Sequence, residues 1–312
     1  LIGSVRTQRG LTQKELADKI GTSQSAVNRI ESGKQNITLD MLARIGDVLD
    51  TELISLSGSF SNLRVEGGYK LKGSVVVKNS KNGAVGLLCA ALLNKGKSTF
   101  TAVPKIEEVY RLIEVLSSIG VRVDWQENGD LIIDPPRKLR LENMDVKAAR
   151  RTRSVIMYLG ALMHDYRSFK LPYAGGCKLG KRTVAPHLYA LSEFGVEVET
   201  KNNYYHARVK RKAPGEVTLY EMGETVSENA LMAAALTEGT TTLRNISSNY
   251  MVQELAYFLK TLGVKIDGIG TNTLTVHGVR EINTDVIYNP SEDPIEAMSL
   301  LSAAITTNSK IT

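Results

Sequence analysis

Cysteine, aromatic residues and long apolar segments are all scarce in this chain of 312 residues. The two cysteines, Cys89 and Cys177, cannot form a disulfide scaffold, and we expect a reducing compartment, the cytoplasm. Aromatic residues are only 6% of the chain, but hydrophobic residues reach 42%, which supports a real core and argues against global disorder. No apolar run reaches the ~18 residues of a membrane span, and no signal peptide opens the chain, so we expect no membrane partner.

Neither sign of charge dominates. Lys and Arg number 39 against 33 Asp and Glu, and the net charge of +6 fits small anionic ligands as well as nucleic acid. Residues 1–50 hold seven Lys/Arg and six Asp/Glu, so the remaining chain carries +5. The length predicts about two domains at ~150 residues each. The chain begins with Leu1 and stops at Thr312 in a strand-like stretch, so we expect both ends to be incomplete.

Residues 1–55 predict a small all-α domain. Thr12 and Glu15 form a capping-box pattern, Gly21 ends that helix, and Ser23 begins the next one, Gln24–Ile30. Thr38 has the same capping position before a helix with leucines and isoleucine at helical spacing. A serine-rich stretch follows, and we assign residues 56–65 as a linker.

A second pattern in this domain is the spacing of Ala17, Gly21 and Val27, which is typical of a helix-turn-helix. The stretch LTQKELADKIGTSQSAVNRIESG resembles the Cro/Xre-type repressors. The resemblance implies a recognition helix in the major groove of DNA, with base-reading positions at Gln24, Ser25, Asn28 and Arg29. The alternative is a helical packing unit that binds protein or nothing.

The rest of the chain repeats itself. An apolar helix, a turn and a Thr/Ser/Lys strand recur at Ala90, Ala161, Ala234 and Ala303, at intervals of 71, 73 and 69 residues. A second helix ending in Gly-Val and a strand follow three of them, at Gly120, Gly195 and Gly263. A unit of roughly 70 residues, built as helix–strand–helix–strand, is therefore used at least four times, and its fourth copy stops before its second helix.

Two stretches combine cations with ligand-binding geometry. Lys81 and Asn82 lie where a predicted strand ends and an apolar helix begins, which is a position for an anion; the alternative is an ordinary solvated charge. Residues 171–188 form a glycine-rich segment with cations around Cys177, which favours its thiolate; the alternative is an unreactive thiol. Cys89 lies in an apolar helix and is predicted to be a core residue.

A third stretch crowds acidic residues at a helix start. Glu292, Asp293 and Glu296 surround Pro294. They either serve the helix dipole, or one of them is a general base.

These stretches, in this order over this repeat, resemble the enolpyruvyl transferases across residues 66–312, and most of all the members that act on UDP-N-acetylglucosamine. The motifs that carry the resemblance are GGYKLKGSVVVKNSKNGAV, LPYAGGCKLGKR, LTEGTTTLRNI and EDPIEAMSLLSAAI. The relatives that act on 3-phosphoshikimate are not expected to carry the loop cysteine, so Cys177 separates the two branches.

The resemblance implies a reaction and a set of residues. The family transfers the enolpyruvyl group of phosphoenolpyruvate to a sugar hydroxyl, here in peptidoglycan precursor synthesis, and needs neither metal nor cofactor. By resemblance, Cys177 is the proton donor, Asp293 contacts the attacking hydroxyl, and Lys81 is catalytic. The implied substrate-binding residues are Lys81, Asn82, Arg153, Arg182, Thr183, Val184, Ala185, Pro186, Val226, Ser227 and Asp293.

The chain also departs from the family pattern. Ala185 replaces an Asp at the uracil, Thr225 replaces a Lys, and Glu228-Asn229 replaces Val-Gly, which predicts an extra negative charge near a pyrophosphate. These changes leave open a rival function, a DNA-binding regulator whose transferase body is a ligand sensor.

The expected fold is α/β (α+β). It is a two-lobed, inside-out α/β barrel of repeated ~70-residue units, with helices inside and sheets outside, preceded by the small helix-turn-helix domain. We expect the chain to cross from one lobe to the other and to return near residue 290, and we expect the C-terminal part of the transferase domain to be missing.

Overall fold

The computed structural model describes residues 2–8, 11–35, 37–49, 68–173, 183–210, 212–213 and 215–312. The chain divides into two compact units, Leu1–Gly68 and Tyr69–Thr312. The predicted linker 56–65 and the predicted site residues Cys177 and Arg182 lie outside the described residues. No helix among the described residues is long and apolar enough to cross a membrane.

The first unit is all-helical, as the capping pattern predicts. Thr12 Oγ1 accepts from the Glu15 N–H at 3.2 Å, and Glu15 Oε2 accepts from the Thr12 N–H at 2.7 Å, which confirms the capping box. Gly21, at φ 72°, ends the helix, and Ser23 caps the next one. The helices are α1 (Ile2–Gln8), α2 (Gln13–Ile20), α3 (Gln24–Glu31) and α4 (Leu39–Leu49).

The core of the first unit comes from apolar residues at helical spacing. It is formed by Leu16, Ala17, Ile20, Val27, Ile30, Ile45 and Leu49. Glu31 ties the helices together, because its carboxylate accepts from Arg6 of α1 at 2.6 Å and from Gln13 of α2 at 2.8 Å.

The second unit alternates helices and strands. Its helices are α5 (Lys81–Ala90), α6 (Glu107–Ser118), α7 (Val146–Ala149), α8 (Tyr158–Leu162), α9 (Ala185–Glu193), α10 (Glu224–Ala235), α11 (Tyr250–Thr261) and α12 (Pro294–Thr306). Its strands are β1 (Lys72–Gly73), β2 (Ser98–Phe100), β3 (Arg122–Trp125), β4 (Leu131–Asp134), β5 (Ser168–Pro172), β6 (Val196–Lys201), β7 (Tyr204–Val209), β8 (Glu216–Thr218), β9 (Gly239–Arg244), β10 (Lys265–Asp267), β11 (Thr273–Gly278), β12 (Val286–Tyr288) and β13 (Lys310–Ile311). Short 3-10 helices span Ala91–Leu93, Leu141–Asn143 and Ser154–Met157.

The sheet topology confirms the repeat. Three successive units each contribute three strands to a sheet. The third strand of the unit lies between the other two and is antiparallel to both, which gives the orders β2-β4-β3, β5-β7-β6 and β9-β11-β10. Strands β12 and β8 add parallel partners to β2 and β9. Each unit therefore has one more strand than the sequence pattern predicts.

The glycines that end the second helix of each unit are equivalent. Gly120, Gly195 and Gly263 have φ of 98°, 80° and 95°, a left-handed conformation that glycine adopts without steric cost. Each stands between a helix and a strand, as predicted from the Gly-Val repeat.

The first helices of the units, α5, α8 and α10, pack against one another in the core. Helix α10 contacts α5, α8, α9 and α11, and its residues 226–235 are all buried. Such helices are apolar on every side because they face other elements all round. The strands bury one face in alternation, as in β4. The mixed α/β fold is thus confirmed, and closure into a two-lobed barrel stays a prediction.

The prediction of a strand that ends just before Lys81 is wrong. The chain is extended there, but after β1 it forms only an isolated bridge, from Asn79 to Glu292, and Val76 is 89% exposed. Among the described residues no neighbouring strand supplies the backbone partners that a longer ladder requires.

The fourth copy of the repeat begins as predicted, with α12 followed by β13. In contrast with α10, only Ala304 of α12 is buried, and Met298 is 59% exposed. This helix is therefore not enclosed by other elements in the described part of the chain.

The close approach of α8 to α10 depends on Gly160. A Cβ at this position would lie 2.4 Å from Asn229 Oδ1 and 2.5 Å from the Asn229 backbone oxygen. We expect Gly160→Ala to lower the free energy of unfolding by about 1–3 kcal/mol, because the two helices must separate. Urea or thermal unfolding measures this. Gly215→Ala is the control, since nothing lies within 4 Å of its Cβ position; equal stability of the two variants would contradict the prediction.

Candidate active site

Two segments of the chain cross beside the start of α5. Asn79 and Glu292 form an antiparallel bridge, the Ser80 N–H donates to the Ser291 oxygen at 2.9 Å, and the Asp293 N–H donates to the Lys78 oxygen at 2.8 Å. The segments near residues 80 and 290 are therefore in contact, and the N-termini of α5 and α12 lie next to each other.

The buried Glu254 holds this crossing in place from α11. Its Oε1 accepts from the Tyr288 hydroxyl at 2.6 Å, and its Oε2 accepts from the Ser291 N–H at 3.1 Å. Burial, together with the hydrogen bond to Glu254, raises the pKa of Tyr288 above its ordinary range. The neutral phenol is therefore a fixed hydrogen-bond donor to Glu254.

Helix α5 presents its N-terminus to a cavity. Ser80 caps it, because Ser80 Oγ accepts from the Gly83 N–H at 3.1 Å, and Lys81 and Asn82 are its first residues. The helix is buried from Gly83 onward. Its dipole and free N–H groups favour an anion in front of Lys81.

Lys81 has a partner that the sequence reasoning missed. Its Nζ lies 2.5 Å from Glu108 Oε2, and the other oxygen of Glu108 accepts from Ser154 Oγ at 2.7 Å and from Thr152 Oγ1 at 3.2 Å. Burial raises the pKa of Glu108, but the hydrogen bonds from Lys81 and Ser154 outweigh it and hold that pKa below its ordinary value. Glu108 lies in the first turn of an amphipathic helix, where the sequence offers no sign beyond a favourable dipole interaction.

Arg153 lies on the other side of the cavity. It precedes the 3-10 helix Ser154–Met157, and its Nη2 donates to the Thr183 oxygen at 3.1 Å. This bond joins Arg153 to the segment 183–186, which the resemblance assigns to the nucleotide.

The cavity has a volume of about 200 Å³. It is lined by Lys81, Asn82, Val85, Glu108, Arg153, Ser154, Ile156, Glu224, Thr225, Glu228 and Met251. The structure thus brings together three of the predicted residues, Lys81, Asn82 and Arg153, although Arg153 lies about 70 residues from the other two along the chain. Residues 183–186, 226–227 and Asp293 do not line it.

The predicted nucleotide residues differ in exposure. Thr183 and Ala185 are exposed, Val184 is half-buried, and Pro186 and Val226 are buried.

The hydroxyl of Ser227 is fully used by the fold. Ser227 is 0% exposed, and its Oγ donates to the Gly223 oxygen at 2.7 Å and accepts from the Ser247 N–H at 2.9 Å. Donation from this hydroxyl to a nucleotide would need the bond to the Gly223 oxygen to break, because the hydroxyl has a single proton. Its assignment to the nucleotide site stays a prediction.

Asp293 is the N-cap of α12. Its Oδ1 accepts from the Ile295 N–H at 2.8 Å and from the Glu296 N–H at 3.4 Å, and Pro294 is the first helical residue. The helix-start interpretation of this acidic cluster is confirmed. The role of Asp293 toward a substrate hydroxyl stays a prediction.

His187 connects α9 to α10. It is buried, its Nδ1 lies 3.0 Å from Asn229 Nδ2, and its Nε2 lies 3.4 Å from Thr225 Oγ1. Asn229 Oδ1 accepts from the Gly160 N–H, so its Nδ2 faces the ring as a donor. Burial, and then the charge of Arg153, lower the pKa of His187 to about 4. The ring is therefore neutral near pH 7 and carries its proton on Nε2.

The surroundings of Glu228 disfavour the negative charge that the sequence predicts there. Its side chain is buried within α10, and burial, followed by the repulsion of Glu224, raises its pKa well above the ordinary value. Burial therefore favours the neutral, protonated carboxyl group at Glu228 over the carboxylate. The sequence marked the position as unusual but could not show its burial.

Cys89 is buried in α5, as predicted, and burial raises the pKa of its thiol well above the ordinary range. Among the described residues no group of three or more His, Cys, Asp or Glu could hold a metal ion.

Comparison with known proteins gives a consistent result. The family described as EPSP synthase (3-phosphoshikimate 1-carboxyvinyltransferase) matches residues 65–312, and a helix-turn-helix family matches residues 2–56. The UDP-N-acetylglucosamine 1-carboxyvinyltransferase of Bradyrhizobium diazoefficiens is 36% identical over 247 residues, or 79% of this chain and 57% of that protein. That of Hydrogenovibrio crunogenus is 34% identical over 250 residues, or 80% and 59%.

A solved structure supports the fold. The enolpyruvyl transferase NikO from Streptomyces tendae matches with a TM-score of 0.65 at 21% identity, over 75% of this chain and 55% of that one. The chain spans less than two thirds of the length of the curated relatives it matches.

Proposed function

Because the chain belongs to the EPSP synthase (3-phosphoshikimate 1-carboxyvinyltransferase) family, we propose that it transfers the enolpyruvyl group of phosphoenolpyruvate to UDP-N-acetylglucosamine and releases phosphate. Curated relatives at 34–36% identity are named for this reaction. We place the step in peptidoglycan precursor synthesis in the cytoplasm. The observation that carries the proposal is the cavity at the N-terminus of α5, where Lys81, Asn82 and Arg153 meet.

In the proposed reaction the acceptor hydroxyl oxygen bonds to C2 of phosphoenolpyruvate, while a proton is added to the C3 methylene. The tetrahedral intermediate then loses a proton from C3 and releases phosphate, which restores the double bond. Cys177 donates the proton to C3, and Asp293 receives the hydroxyl proton. Lys81, Arg153 and Arg182 stabilise the phosphate and carboxylate charges.

The acceptor is bound by a second set of residues in this proposal. Residues 183–186 and Val226-Ser227 hold the nucleotide part of the sugar. The bond from Arg153 to the Thr183 oxygen supports this arrangement, because it connects the cavity to the first of these segments.

The test is phosphate release by the full-length protein. We expect release from phosphoenolpyruvate with UDP-N-acetylglucosamine, and only background release with shikimate 3-phosphate. A faster reaction with shikimate 3-phosphate would overturn the choice of acceptor. No release with either acceptor would overturn the enzymatic function.

A second function is favoured by the first unit. The predicted base-reading residues Gln24, Ser25, Asn28 and Arg29 all lie on α3 and are exposed, while Val27 and Ile30 of that helix are buried. A free polar face on the second helix of a helix-turn-helix is what the major groove accepts. We therefore propose that this unit binds DNA. DNA binding without turnover would favour the rival function, a regulator with a ligand-sensing transferase body.

We expect Arg29→Ala to weaken the binding of a selected DNA sequence by about tenfold or more, since an arginine that reads a base contributes ~1–3 kcal/mol. Fluorescence anisotropy at several salt concentrations measures it. Lys265→Ala is the charge-matched control, because Lys265 is exposed on β10 in the other unit. Equal affinity of both variants and the unmodified protein would contradict the role of Arg29.

A further inference from the structure

The cavity at α5 contains a carboxyl group without a hydrogen-bond partner. Glu228 is 1% exposed and lines the cavity, and its Oε1 is buried with no partner in the part of the chain that the structure describes. Buried polar groups are nearly always satisfied, because an unsatisfied one costs about 1–3 kcal/mol. Glu228 thus combines a place in the cavity wall with an incompletely satisfied carboxyl group, and the two together point to a ligand in the cavity.

The packing of α5 makes room for this carboxyl group. A Cβ at Gly86 would lie 2.4 Å from Glu228 Oε1. Any larger residue at Gly86 would displace the carboxyl group from the face of α5. The absence of a side chain at Gly86 on α5 thus makes room for the side chain of Glu228 on α10.

The surroundings of Glu228 favour its neutral form. The groups that face it are Glu224 on its own helix, Cys89 on α5, and Lys81, Glu108 and Arg153 around the cavity. Both cations are engaged elsewhere, Lys81 with Glu108 and Arg153 with the Thr183 oxygen. Burial and the neighbouring Glu224 raise the pKa of Glu228, and the protonated form that this favours has one O–H donor.

We propose that Glu228 is a substrate-binding residue whose neutral carboxyl group donates a hydrogen bond to an oxygen of the anion held by Lys81 and Arg153. The proposal rests on the proposed function in taking phosphoenolpyruvate as that anion. A neutral acid adds a hydrogen-bond donor to the anion without adding a further positive charge. An ionised Glu228 would instead repel the same anion.

The experiment measures phosphoenolpyruvate binding to the full-length protein by calorimetry between about pH 6 and about pH 9. We expect Glu228→Gln, which keeps a neutral donor, to bind within about twofold of the unmodified protein at the low end of this range. Glu228→Ala should bind about tenfold or more weakly, since hydrogen bonds to charged groups are the stronger ones. Glu238→Gln, at an exposed position after α10, is the control.

The pH profile gives a readout that a structural role would not move. As pH rises and Glu228 loses its proton, the unmodified protein should lose affinity, whereas Glu228→Gln should not. Infrared spectra should show a protonated carboxyl band that disappears in Glu228→Gln. If Glu228→Ala does not fold, the pH profile of phosphoenolpyruvate binding by Glu228→Gln still tests the proposal.

Stability provides an independent measurement. The pKa of Glu228 is raised on folding, so above the ordinary glutamate pKa the unfolded state holds fewer protons and stability falls as pH rises. The melting temperature of Glu228→Gln should therefore exceed that of the unmodified protein, by a margin that grows with pH.

Parallel pH profiles of binding for the unmodified protein and Glu228→Gln would overturn the proposal, and so would a failure of the unmodified protein to bind phosphoenolpyruvate. A third contrary result is normal binding by Glu228→Gln with turnover lowered about 100-fold, which would make Glu228 a general acid. Failure of the proposed function is distinct. If the expected binding pattern occurs without transfer to UDP-N-acetylglucosamine, Glu228 keeps its role and the acceptor is wrong.

Discussion

Replacing Cys177 by alanine or serine should lower phosphate release from phosphoenolpyruvate and UDP-N-acetylglucosamine by about 10³-fold or more, because the proposed proton donor to C3 is lost. The nearby cations Lys178, Lys181 and Arg182 stabilise the thiolate that remains after the proton is donated, which makes the thiol a better acid and the sulfur reactive. Serine keeps the size of the side chain but is a far weaker acid, so both variants should fail alike.

Cys89→Ala is the matched control for Cys177. Cys89 is buried in α5 with a raised thiol pKa, so the unmodified protein should react with a thiol alkylating agent at Cys177 alone. Alkylation should inactivate the unmodified protein and Cys89→Ala at the same rate. Full activity of Cys177→Ser would remove Cys177 from the mechanism.

Lys81→Ala should lower kcat/KM for phosphoenolpyruvate by about 10²–10³-fold, since a preorganised charge at the reacting anion contributes ~2.7–4 kcal/mol. The loss should also leave Glu108 as an unpaired carboxylate beside the anion, which adds repulsion. Initial rates of phosphate release at varied phosphoenolpyruvate measure the effect.

Lys95→Ala is the control for this prediction. Lys95 is exposed, its Nζ lies 4.0 Å from Asp165 Oδ1, and it does not line the α5 cavity. The substitution therefore removes one positive charge away from the cavity. Its kcat/KM should stay within about twofold of the unmodified protein, because exposed ion pairs contribute little. An equal loss in both variants would show that net charge, and not the position of Lys81, controls the rate.

Much of the fold was predictable, and the part that failed has a physical reason. The capping box at Thr12, the turn at Gly21 and the repeat of Gly120, Gly195 and Gly263 were correctly predicted, because each signal lies within a few residues. The strand before Lys81 was not, because a strand depends on backbone partners that are distant in sequence. The third strand of each unit was missed even though it forms a hairpin with the strand just before it, β4 with β3, β7 with β6 and β11 with β10.

The candidate site was predictable only in part. Lys81 and Arg153 could be chosen by resemblance to a family, and the structure brings them to one cavity. Glu108 and His187 gave no signal, because an acidic residue in a first turn and a single histidine are common in ordinary helices. Their partners come from other helices.

Glu228 shows most clearly where local information ends. Its sequence position suggested a negative charge, whereas burial beside Gly86 raises its pKa and favours the neutral acid. The elements of this protein follow from its sequence, since caps, glycine turns and apolar periodicity act over a few residues. The ionisation state of each polar side chain at the site, and the groups that neighbour it, follow from the packing of α5 against α10, because desolvation and charge interactions depend on distance in space.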